Sequence, residues 1–206
     1  MGEMVYVVMV DGKSTTKVIP QEDTKKSNGP SALERVGDLV KDHATFVVAE
    51  AAAEAAATSA MPFANLLMMV ANPALGMVAQ LALASRAIDP KSSVAVMSPG
   101  NAGVKKGTLD RCEQAFGTSG SDVAYPTAAG QAGYPVYLSP EARAKLDSMP
   151  DGDLLEAVKA DPSLTKTAVE CRDVGIYMDL GSVEARSDGL RERNDDRSLQ
   201  RPAPSV

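Results

Sequence analysis

The chain has no tryptophan, three phenylalanines, one histidine and two cysteines in 206 residues. With a single histidine, any triad or acid–base scheme built on imidazole must pass through His43. His43 falls on the apolar side of a predicted helix, which reads as a packed histidine with its hydrogen bonds satisfied. Cys112 and Cys171 stand far apart, with neither a CxxC pair nor a neighbouring histidine, so they support neither a disulfide framework nor a zinc site. Two reduced, partly buried thiols are expected. A basic excess is missing too: the net charge is -6 and the pI about 4.9, which argues against a nucleic-acid partner, since phosphate neutralisation needs clustered Lys and Arg. At the N-terminus Glu3 stands where a signal peptide carries Lys or Arg, and no small-residue cleavage site follows. Synthesis in the cytoplasm without Sec-type export is the expectation, with incorporation into a particle or export by another route left open.

Aromatics make up only 4% of the chain, so its core must rest on Ala, Val, Leu and ten Met. Small side chains and adaptable thioethers suit helix-on-helix packing better than a cofactor pocket. Charge is absent from residue 55 to residue 85. As one continuous helix this stretch would span about 45 Å, with Pro62 and Pro73 kinking it or dividing it into a helical hairpin. Its polar residues Thr58, Asn65, Asn72, Gly76 and Gln80 would then lie within roughly 40° of one line, and Leu66, Met69, Leu75 and Leu83 would supply apolar contacts beside that stripe. A rod apolar around most of its girth must be covered. Three covers are possible: the core of a helical domain, copies of itself with Asn fixing register, or a bilayer.

Around this segment, Val5–Val10 and Ser14–Ile19 flank Asp11-Gly12, a hairpin turn signal. The first run is apolar on both faces and therefore needs cover from elsewhere. Residues 20–30 read as a polar linker. Ser31 with Glu34 forms a capping box, opening an amphipathic helix on Leu33, Val36, Val40, His43, Val47 and Ala51 that runs to about Thr58. Ser93–Ser98 reads as a buried strand, Thr108–Phe116 as a helix, residues 117–133 as loop and Tyr134–Leu138 as a strand. Ser139-Pro140-Glu141 starts a helix reaching Ser148, and shorter helices are predicted over 153–160 and 163–172. Beyond residue 181 the charged sequence predicts a disordered tail. The predicted fold is thus mainly α (α+β), organised as a β-hairpin (1–19), a linker (20–30), a long helical apolar segment (31–90), a small mixed region (91–180) and a flexible tail (181–206).

No catalytic, cofactor-binding or metal-ligating set emerges. Glu50 and Glu54 are one helical turn apart but lack a Glu-x-x-His partner. Asp151, Asp153 and Glu156 surround a helix start, where acids complement the dipole. Ser98–Thr108, SPGNAGVKKGT, places glycines and two lysines between a strand and a helix, as a phosphate-cradling loop does. Lys105 and Lys106 precede Gly107, however, whereas a P-loop has Gly-Lys followed by Ser or Thr. The expected function is a non-enzymatic structural component of a virion or secretion-type assembly, without cofactor or metal, that binds itself or other proteins through the apolar helix. The alternatives are a membrane-inserting translocator or effector using residues 55–85 and, more weakly, a small nucleotide- or phosphate-binding domain using residues 100–107.

Overall fold

Strand β1 (Met4–Val10) is buried from Val5 to Val10. A strand apolar on both faces belongs in the middle of a sheet covered on both sides, and it is found there. In the computed structural model, which describes residues 3–10, 31–69 and 75–177, β1 pairs in parallel with β2 (Ala44–Glu50) on one side and β4 (Ser93–Met97) on the other. Both edges of β1 are thereby filled, so the predicted hairpin has no edge to pair with; its second run, Ser14–Ile19, lies outside the described residues.

The sheet has eight strands in the order β3-β2-β1-β4-β7-β5-β6, with β8 beside β5. β3 (Asn65–Met69) is parallel to β2, whereas β7 (Val136–Leu138) runs antiparallel to both β4 and β5 (Val123–Ala128). β8 (Lys166–Glu170) is parallel to β5, and the short β6 (Gln131–Ala132) folds back on it.

Helices cover both faces. Tyr6, Val8 and Val10 of β1 share one core with α1 (Ala32–Val40), α2 (Glu54–Ala60) and α4 (Lys106–Ser119). Val5, Val7 and Met9 share the other with α3 (Met77–Ser85), α5 (Pro140–Ala144) and α6 (Leu154–Ala160). The protein is therefore an α/β sandwich, not a mainly α chain.

The apolar rod is the main correction. Between residues 54 and 85 lie α2, β3 and α3, so the two helices bury residues such as Ala57 and Leu81 against the sheet while β3 extends it. The first helix likewise ends at Val40, because Thr45, Phe46, Val47 and Val48 favour a pleated, half-buried strand. Ser31 and Glu34 do form the capping box: the Ser31 amide donates to the Glu34 carboxylate at 2.6 Å and the Glu34 amide to Ser31 Oγ at 3.2 Å. Residues 163–172 hold β8 in place of the predicted helix, and β5 and β6 occupy the predicted loop. Arg143 is buried at the start of β4 and donates to the carbonyls of Ser92 and Asp89, each at 2.7 Å. It thereby ties the turn into the fold, adding a second bond to the Asp89 carbonyl, which also accepts from the Ser92 amide at 3.0 Å.

On α3 the burial is one-sided, with Leu81 fully buried and Leu83 41% exposed. Leu81→Ala is expected to cost about 2–5 kcal/mol in urea unfolding, and Leu83→Ala about 0.5 kcal/mol or less. Equal costs would contradict this packing.

Candidate functional site

From β1 the chain moves outward to β2 and then β3, and β4 returns to the opposite side of β1. Connections thus leave β1 and β4 in opposite directions at their carboxyl ends. In open α/β sheets ligands bind at such a reversal. Here the reversal lies beyond Val10 and Met97; the segment joining β1 to α1, residues 11–30, lies outside the described residues.

The loop leaving β4 at this point is the Ser98–Thr108 sequence. It begins with a 3-10 turn, Pro99–Asn101, closed by its own side chains: Asn101 Oδ1 accepts from the Ser98 amide at 2.9 Å and from Ser98 Oγ at 3.1 Å. Asn101 is buried, whereas Lys105 and Lys106 at the head of α4 are exposed. Lys106 Nζ lies 3.4 Å from Asp42 Oδ2, and both side chains are well exposed. Such a pair contributes little and leaves the lysine open to a competing anion.

Two further segments reach the same edge. β7 is antiparallel to β4, so Gly133 and Tyr134 before it arrive beside the end of β4. β8 is parallel to β5, so Asp173 and the 3-10 turn Val174–Ile176 arrive there too. The Tyr134 amide donates to the Ile176 carbonyl at 2.8 Å. A Cβ on Gly133 would lie 2.3 Å from that same oxygen, so only glycine fits. Asp173 is 4% exposed and accepts from the Lys105 amide at 2.8 Å, Thr108 Oγ1 at 2.7 Å and the Gly175 amide at 3.1 Å.

Under this edge, Tyr6 and Tyr137 place their hydroxyls 3.5 Å apart. Tyr6 donates to Glu113 at 3.3 Å and Tyr137 to the Leu109 carbonyl at 3.2 Å. Burial pushes both hydroxyls upward, so they stay protonated as donors. Burial also pushes the Cys112 thiol up to about 12, which makes it an inert core thiol. His43 is half-buried with its ring centroid 4.6 Å from that of Tyr6, and it lies in the turn after α1, not on the stripe of a continuing helix. Among the described residues no group of three or more His, Cys, Asp or Glu side chains could hold a metal ion.

The residues predicted for interaction are dispersed. Thr58 is exposed on α2, Asn65 exposed and Leu66 half-buried on β3. Met69 ends β3, its side chain outside the described set, and Asn72 lies outside it altogether. Gly76 is the N-cap of α3 and Gln80 lies within it, where Gln80 Nε2 donates to the Leu75 carbonyl at 3.0 Å. Leu75 and Leu83 line an apolar groove of about 300 Å³ together with Leu146 and Met149. The groove follows α3 and not the reversal. No line of polar side chains joins these positions, because a strand interrupts the two helices.

No family model matches the chain, and no curated protein matches its sequence. Solved structures do share its fold. Rv0371c of Mycobacterium tuberculosis H37Rv, in complex with manganese, superposes with a TM-score of 0.64 at 17% identity, over 84% of this chain and 92% of that one. A nucleotidyl transferase from Methanothermobacter gives 0.64 at 16% identity over 93% and 100%. CMP:2-keto-3-deoxy-manno-octonic acid synthetase complexed with CTP gives 0.62 at 9% over 94% and 100%. The architecture is thus one found among nucleotidyltransferases. This overturns the expectation of a non-enzymatic virion or secretion component, since the rod that motivated it does not exist. The membrane alternative loses its basis as well: among the described residues no helix is long and apolar enough to cross a membrane.

The start of α3 carries its own titratable cap. Asp151 accepts from the amides of Gly76 at 2.6 Å and Ala79 at 3.1 Å. These hydrogen bonds hold its carboxyl below the usual carboxylate range. A depressed folded-state value means that this stabilisation is present above the ordinary carboxylate range and lost as pH falls through the lowered value. Asp151→Asn is expected to flatten the acid limb of a Tm-against-pH curve; superimposable limbs would show that the cap does not titrate this way.

Proposed function

We propose that this chain is a nucleotide-binding enzyme of the nucleotidyltransferase type, taking a nucleoside triphosphate in the crevice at the carboxyl ends of β1 and β4. The observation that carries the reading is the position of the Ser98–Thr108 loop. A glycine-containing, lysine-bearing segment stands at a reversal of the winding of this sheet, where open α/β sheets take their ligands. The nucleotidyl transferase and the CTP complex of like fold support it. The weaker alternative read from the sequence becomes the leading one, although the loop is no P-loop.

In nucleotidyl transfer an acceptor oxygen attacks the α-phosphorus and pyrophosphate leaves, so negative charge gathers on the phosphate oxygens. Catalysis of such a step is mostly positioning and charge stabilisation. Lys105 and Lys106 supply cations at the rim, and the buried Ser98–Asn101 turn gives their loop a fixed base. The manganese of the mycobacterial structure raises the matter of a metal here. Among the described residues no group of three or more His, Cys, Asp or Glu side chains is placed to hold such an ion.

The test is a thermal-shift series with ATP, GTP, CTP and UTP, each with magnesium or manganese. Binding at a hundredfold excess over Kd stabilises by about 2.7 kcal/mol, or roughly 5–10 °C for a chain of this size. At least one nucleotide is expected to give such a shift, and the Lys105→Glu/Lys106→Glu double variant to lose most of it. No shift with any of the four would defeat the proposal.

A further inference from the structure

We infer that Asp173 is a positioning residue of the crevice, fixing the lysine-bearing loop after β4 for the ligand; this rests on the nucleotide reading above. The need for such a residue is local. The N-cap of α4 is Lys105, whose side chain offers no acceptor, so no side chain of its own caps the helix. The first amides of a helix lack intrahelical partners and need them from elsewhere. Asp173, from the far side of β8, supplies one by accepting from the Lys105 amide at 2.8 Å, and it takes the hydroxyl of Thr108 in the first turn at 2.7 Å. Its other oxygen accepts from the Gly175 amide at 3.1 Å and caps its own 3-10 turn. One buried carboxylate therefore closes two helix starts.

A backbone contact brings the same turn against the other end of the loop. A Cβ on Gly175 would lie 2.1 Å from the Gly103 carbonyl oxygen, so the two strands of backbone touch directly. Gly103 and Thr108 are thus both held by the Asp173–Ile176 turn, and Lys105 and Lys106 lie between them. The carboxylate also places a negative charge at the positive end of the α4 dipole. A ligand phosphate is then met by the lysine side chains and not by the α4 amides.

The experiment measures Kd for the best-binding of the four nucleotides, together with amide hydrogen exchange over residues 98–106. Asp173→Asn puts a donor where the carboxylate accepts; it is expected to raise Kd tenfold or more and to speed exchange in that loop. Leu81→Ala, destabilised on the opposite face of the sheet, is expected to lower Tm and leave Kd unchanged, which separates positioning from general loss of stability. If Asp173→Asn does not fold, Thr108→Val decides, since it deletes one of the three hydrogen bonds: a Kd raised about threefold supports the role, and an unchanged Kd overturns it. Wild-type binding matched by Asp173→Asn defeats the role of Asp173 alone. A wild-type chain that binds none of the four nucleotides defeats the nucleotide reading, and this role with it.

Discussion

Burial of β1 on both faces is the constraint from which the remainder follows. Val5 to Val10 are all removed from water, and at about 25 cal/mol per Å² of apolar surface no other strand has a stronger reason to sit at the centre. Both of its edges take parallel partners, and parallel pairing requires crossover connections. Those connections are α1 between β1 and β2, α2 between β2 and β3, and α3 between β3 and β4. Because α1 and α2 lie on one face and α3 on the other, the two halves of the sheet are wound in opposite directions about β1. The reversal at the ends of β1 and β4 results from that winding.

What gathers at the crevice is local chemistry held by distant chain. The Ser98–Asn101 turn closes on itself, but the head of α4 depends on Asp173 and on the Gly103–Gly175 approach. Gly133 and Ile176 make a similar backbone contact from the β7 side. The two lysines therefore stand on a base assembled from the exits of β4 and β8 and the entry of β7. A site built this way is rigid where its backbone is pinned, and its lysines stay exposed, Lys106 in a solvent-exposed pair with Asp42 that an anion can compete for.

Much of the local structure was legible in the sequence and the global arrangement was not. Ser31 with Glu34, Ser139 with Pro140, and Asp153 all mark helix starts by capping chemistry that needs no tertiary context. The apolar character of β1 on both faces was the signature of a central parallel strand, but Asp11-Gly12 drew it toward a hairpin. β2 was hidden because Val36, Val40, His43, Val47 and Ala51 keep helical spacing across the α1–β2 junction, and the β-branched run at Thr45–Val48 was outweighed. β3, with the sequence Asn-Leu-Leu-Met-Met, has no β-branched residue and lies in an uncharged stretch where helix and buried strand look alike. β8 carries Thr167 and Val169 in alternation with Thr165 just before it, yet Asp161-Pro162-Ser163 ahead of it resembles a helix start. Pro126 and the neighbouring glycines disguised β5. The functional loop was noticed for its glycines and lysines, but its weight comes from standing at a winding reversal, which residue spacing does not reveal.

The most direct measurement is amide chemical-shift mapping of the isotope-labelled chain during titration with the nucleotide it binds. The largest changes are expected at Val10 and across Met97 to Lys106, with smaller ones near Gly133 and Asp173 and none along the α3 groove. Changes centred on Leu75, Leu83 and Met149, or a spectrum that stays still throughout, would contradict it.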